Sequence, residues 1–110
     1  MLKTYVIDID GTICINGDCA SCKYEGSTPI SERIEQINSL YDEGHTIKYF
    51  TARGMGRFDD DVKKAQEKFY TLTKTQLSIW GCKYHELILG KPSGDIYIDD
   101  KGVNVSEFFN

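Results

Sequence analysis

Short apolar runs alternating with helical patterns constrain this chain more than any other feature. Tyr5-Val6-Ile7, Thr46 to Phe50, Glu86 to Leu89 and Ile96-Tyr97-Ile98 are rich in β-branched and aromatic residues and too short for helices. Between the first and second runs, Ile30, Ile34, Ile37, Leu40 and Tyr41 recur at helical spacing. Pro29 suits the first turn of that helix and Gly44 its stop. Between the second and third, Val62, Ala65, Phe69 and Leu72 mark another helical face. It follows Asp59-Asp60-Asp61, where negative charge favours a helix N-terminus. Thr73-x-x-Gln76 has the spacing of a capping box, which predicts a break near Thr73 and a shorter helix to Trp80. Val103 to Phe109 reads as a last short helix or turn. Strands alternating with helices predict an α/β fold, a largely parallel sheet with helices on its faces.

The chain has 110 residues, which suits one domain spanning 1–110. It has no internal repeat and no linker that would divide it. A net charge of -4 supplies no basic surplus for releasing counterions from nucleic acid, so no nucleic-acid partner is expected. No apolar stretch approaches the ~20 residues of a membrane span. The N-terminal residues lack the long apolar segment and small-residue cleavage site of a signal peptide. The expectation is a cytoplasmic protein without a membrane partner.

In a parallel sheet, ligands bind beyond the carboxyl ends of the strands. The polar residues expected there are Asp8, Asp10, Thr51, Lys91, Asp99 and Asp100. Four aspartates gathered at one edge would repel each other unless protonated or sharing a cation. An incomplete set of hard oxygen ligands suits magnesium, which keeps several waters and often binds beside a substrate phosphate. Lys91 adds a compact positive charge and Thr51 a hydroxyl. Such a set can hold a phosphoryl group, and the Asp-x-Asp pair can supply a nucleophile and an acid. Taken singly, each of these residues is ordinary in a turn after a strand. The ordered combination is much less so.

The chain resembles the haloacid dehalogenase superfamily of phosphohydrolases at Asp8-Ile9-Asp10-Gly11-Thr12, Phe50-Thr51-Ala52-Arg53, Gly90-Lys91-Pro92 and Tyr97-Ile98-Asp99-Asp100. The resemblance implies a doubly wound parallel sheet and an aspartyl-phosphate mechanism. Asp8 would be the nucleophile, and Asp10 the general acid and then the general base. Thr51 would hold a phosphoryl oxygen, with Ala52 and Arg53 beside it at the substrate. Lys91 would stabilise the phosphoryl group and Asp8. Asp8, Asp10, Asp99 and Asp100 would form the magnesium site. A narrower resemblance, to small phosphatases encoded among capsule-polysaccharide genes, rests on Ile37-Asn38, Leu40-Tyr41, Gly44-His45, Thr51-Ala52-Arg53-Gly54, Trp80-Gly81 and Ile98-Asp99-Asp100-Lys101. It implies a phosphorylated sugar or related small phosphoester as substrate. Neither interval between the motifs is long enough for a folded cap domain. An open site then takes bulky substrates, uses the loop from Asn16 to Ser27 as a lid, or is covered by another copy in a homo-oligomer.

Several residues have competing readings. Cys14, Cys19, Cys22 and Cys82 have spacing compatible with a zinc or iron–sulfur site, and Cys19 and Cys22 with a redox pair. Free or partly buried thiols are the simpler expectation. Arg53 could bind a second anion on the substrate or be a solvated loop residue. His45 and His85 read as turn and packing residues. Lys101 and Asn104 read as turn residues or neighbours of the metal site. A receiver-type binding module would need a phosphoacceptor after the third strand, where this chain has Gly90. A phosphopeptide phosphatase and a cysteine-based metal or redox module are the alternatives to a small-molecule phosphatase.

Overall fold

The computed structural model describes residues 1–17 and 23–109. Its main sheet has three parallel strands, β1 (Thr4–Ile7), β4 (Thr46–Thr51) and β5 (Glu86–Leu89), in the order β1-β4-β5. Tyr5 lies opposite Ile47, and Ile7 opposite Tyr49, which in turn lies opposite Leu87. Helices α1 (Ser31–Asp42) and α2 (Val62–Ile79) form the two crossovers. A pair of two-residue strands, β2 (Cys14–Ile15) and β3 (Thr28–Pro29), closes the neck of the intervening loop antiparallel. Helix α3 (Val105–Phe108) ends the described chain. None of the described helices is long and apolar enough to cross a membrane.

Strand alternation decides which face becomes the core. Ile7, Ile47 and Tyr49 point to one face and pack with Ile34 and Ile37 of α1 and Leu77 of α2. The opposite face carries Val6 at 60% exposure, Ile88 at 38% and a Lys48–Glu86 ion pair at 3.2 Å. Three strands laid down in one direction put successive right-handed crossovers on the same side, which accounts for this one-sided burial. The expected fourth strand is not part of the sheet. Ile96 and Ile98 are 80% and 95% exposed. Tyr97 instead donates its hydroxyl to the carbonyl of Pro92 at 2.6 Å and lies under the Lys91 ammonium, so the segment turns back on its own turn.

Helix α2 also departs from expectation, because it runs unbroken through Thr73. Its N-cap is Asp61, whose side chain accepts from Lys64 N–H at 3.2 Å. Thr73 and Gln76 are buried and serve another partner, described below. Pro29 lies in β3, ahead of the first helical turn. Gly44, with φ of +99°, ends α1 as expected.

Gly54 marks where the loop after β4 presses on α2. Its φ is +80°, and a Cβ there would stand 2.7 Å from Phe69 Cδ2 and 3.1 Å from the Ala65 backbone. Gly54→Ala therefore combines left-handed strain with overpacking and is expected to cost about 2 kcal/mol or more. An unchanged urea midpoint in that variant would show that the contact is not tight in solution.

Candidate active site

Asp8, Asp10, Ala52, Arg53 and Lys91 follow the carboxyl ends of the parallel strands and line one cavity of about 520 Å³. Asp8 leaves β1 with its carboxylate oriented by two donors. Thr12 Oγ1 donates to Oδ2 at 3.2 Å, and Lys91 Nζ stands 3.5 Å from Oδ1. Burial pushes the Asp8 carboxyl above its ordinary range, and Lys91 pulls against that shift. Lys91 is brought in by the turn after β5, where its own N–H donates to the Thr51 carbonyl at 3.2 Å. Its ammonium also sits 4.5 Å from the centre of the Tyr97 ring.

Asp10 faces the same cavity but is held differently. Arg53 Nε lies 3.0 Å from Asp10 Oδ2, and Arg53 Nη2 lies 3.0 Å from Oδ1. This is the forked geometry of a strong guanidinium–carboxylate pair. Arg53 is 1% exposed. Its Nη1 donates to Thr73 Oγ1 at 3.1 Å and to Gln76 Oε1. The Tyr24 ring covers the guanidinium at 5.0 Å. Gln76 Nε2 in turn donates to the Tyr24 carbonyl at 2.6 Å. A buried guanidinium needs this many acceptors, since a charge left unpaired there is costly.

The structure thus brings Asp8, Asp10, Ala52, Arg53 and Lys91 together at one cavity and leaves Thr51, Asp99 and Asp100 outside its lining. Arg53 lines the cavity with its fork on Asp10, and at 1% exposure it is not the solvated loop residue of the alternative reading. The same fork grips both oxygens of the Asp10 carboxylate and leaves their remaining lone pairs toward the cavity. Thr51 is fully buried, and its hydroxyl accepts from Arg53 N–H at 3.1 Å, fixing the turn after β4. Asp99 and Asp100 are exposed and outside the cavity lining. The Lys101 N–H bound to Asp99 holds that carboxyl below its ordinary value. Among the described residues, no three metal-ligating side chains converge. The donor chemistry still suits magnesium, because Asp8 offers a hard oxygen at the cavity and Asp99 and Asp100 offer more on a segment outside the sheet.

Sequence reasoning missed Thr12, Tyr24, Thr73 and Gln76. For Thr73 and Gln76 the signal was present but ambiguous: two polar residues at i, i+3 share a helix face whether they cap or face inward. Lys23 and Arg57 also line the cavity. Cys19, Cys22 and the middle of the proposed lid lie outside the described residues. Cys14 is buried beside the Ile9 carbonyl and Asp10, and Cys82 packs against the core. Burial pushes both thiols up to about 11. His45 and His85 each accept a backbone N–H at 3.0 Å, from Lys3 and Ile47, in packing positions.

No family model matches the chain, and no curated protein does. It is similar to a solved structural-genomics target from Vibrio cholerae, with a TM-score of 0.85 and 29% identity. The likeness covers 98% of this chain and 88% of that one. The fold and site define an α/β protein with a three-stranded parallel sheet and an acidic-cationic cavity at the strands' carboxyl ends.

Proposed function

We propose that the protein is a magnesium-dependent phosphomonoesterase with a haloacid-dehalogenase-like core. The supporting observation is the convergence of Asp8, Asp10 and Lys91 on one cavity beyond parallel strand ends. In the first step an Asp8 oxygen attacks phosphorus and the ester P–O bond breaks. Asp10 gives its proton to the leaving oxygen, releasing an alcohol and leaving phosphate on Asp8. In the second step water attacks that phosphorus and gives a proton to Asp10. Inorganic phosphate leaves and the Asp8 carboxylate is restored. Splitting the reaction this way replaces one difficult displacement with two easier ones. Lys91 reduces the repulsion between Asp8 and the dianion, and Thr12 aims the attacking carboxylate. Magnesium, when bound, supplies charge neutralisation for phosphate and nucleophile.

Asp8, Asp10, Asp99 and Asp100 would hold the metal. Their convergence requires Ile96-Tyr97-Ile98 to pair along the edge of β1 that β4 leaves open. That addition would bury two exposed isoleucines, carry Asp99 toward Asp8 and turn the chain back across the sheet into a doubly wound core.

The substrate in this reading is a phosphorylated sugar or related small phosphoester, and the pathway is capsule or surface polysaccharide synthesis. A site without a cap domain leaves room for a phosphopeptide or for cover from a second copy of the chain. A panel of sugar phosphates and phosphopeptides decides between the substrates. Turnover of sugar phosphates at least about tenfold more efficient than of phosphopeptides is expected, a gap of roughly 1.4 kcal/mol in transition-state binding. The reverse preference would make the protein a phosphopeptide phosphatase.

A further inference from the structure

We infer that Arg53 is a positioning residue that holds the Asp10 carboxylate at the cavity for proton transfer. The inference rests on the phosphatase reading above and goes beyond it. Arg53 is among the largest fully buried side chains, and each of its guanidinium nitrogens has an acceptor. Nε and Nη2 grip both oxygens of Asp10 at 3.0 Å. Nη1 is anchored on Thr73 and Gln76, two polar residues on the inner face of α2. Tyr24 closes the remaining face and is itself tied to Gln76.

The arrangement forms a relay from helix α2 to Asp10. A carboxylate side chain alone rotates among several orientations. A bidentate fork removes that freedom, because both N–H vectors lie in one plane. A carboxylate has about four lone-pair sites, so the fork leaves capacity on the cavity side for the substrate oxygen or the attacking water. The chain places an arginine where a simple packing residue would cost less desolvation, which favours a role in placing Asp10 over one in stability alone. The register of α2 also matters, since Thr73 and Gln76 lie one turn apart and both reach Nη1.

The test separates the two chemical steps. Forming the phosphoenzyme from para-nitrophenyl phosphate needs little acid, because the leaving phenolate is stable, whereas releasing phosphate still needs Asp10 to take a proton from water. Arg53→Gln is therefore expected to release a burst of about one equivalent of para-nitrophenol per chain, followed by a slow steady state. Asp10→Asn should give the same burst, and the double variant should be no slower than Asp10→Asn alone. Arg53→Lys keeps the charge but loses the fork, and is expected to show a smaller burst-to-steady-state gap of the same kind. It also serves if Arg53→Gln does not fold, which a thermal melt reveals. Parallel losses of burst and steady rate, in whichever variants fold, would overturn the positioning role, as would multiplied losses in the double variant. A wild-type protein inactive toward phosphoesters, or an Asp8→Asn variant that still turns over, would instead overturn the phosphatase reading and the Arg53 inference with it.

Discussion

Asp8→Asn is expected to lower phosphatase turnover by about ten-thousand-fold or more, the scale seen when a nucleophile is removed. An amide of the same shape cannot form the acyl phosphate. The same substitution is expected to raise the melting temperature at neutral pH in the presence of a chelator. Burial holds the Asp8 carboxyl above its ordinary range despite Lys91. Between the unfolded and the higher folded pKa, the folded protein binds more protons, so stability falls as pH rises through that window. Above it, ionised Asp8 costs stability that Asn does not. Below the ordinary carboxylate range both states are protonated and the advantage should disappear. Melts across pH, paired with steady-state assays, check both halves. A variant that is inactive but less stable than wild type at neutral pH would mean that the Thr12 and Lys91 contacts outweigh burial.

Removing magnesium is expected to reduce activity by about a hundredfold or more, since metal stabilisation of transferring charge is worth several kcal/mol. Asp99→Ala should raise the magnesium concentration needed for half-maximal activity more than any single change outside the cavity. The physical cause lies in the strand that is missing from the sheet. Adding magnesium with inorganic phosphate should slow amide exchange at Ile96, Tyr97 and Ile98, because backbone groups paired to β1 no longer face water. Full activity after exhaustive chelation would remove the metal from the reading. Exchange at 96–98 that ignores magnesium and phosphate would leave Asp99 and Asp100 without a part in the site.

The fold class was legible because it depends on local pattern. The runs that form β1, β4 and β5 are short, apolar and bounded by polar turns. The repeat from Ile30 to Tyr41 can bury only one stripe of a helix. These features identified the three strands, α1 and the first part of α2, whose expected break near Thr73 does not occur. The carboxyl-end rule then brought Asp8, Asp10 and Lys91 to one edge, because Asp8 and Asp10 lie just past the end of β1 and Lys91 just past the end of β5.

Residues whose role depends on a partner distant in sequence were not legible. Thr73 and Gln76 have the spacing of a cap, and only the packing of α2 against the loop after β4 turns them toward Arg53. Arg53 reads as a free cation until Asp10, 43 positions earlier in the chain, is seen beside it. Ile96-Tyr97-Ile98 has every local property of a strand. Strand pairing is decided by competition for hydrogen-bond partners, and here Pro92 and Lys91 hold Tyr97 locally while the edge of β1 stays open. Local sequence therefore determined the three strands of the sheet, the helix between the first two and where Asp8, Asp10 and Lys91 emerge, but not whether 96–98 pairs or whether α2 breaks. Tertiary structure decided which charges meet, because a buried ion pair depends on geometry that no spacing along the chain encodes.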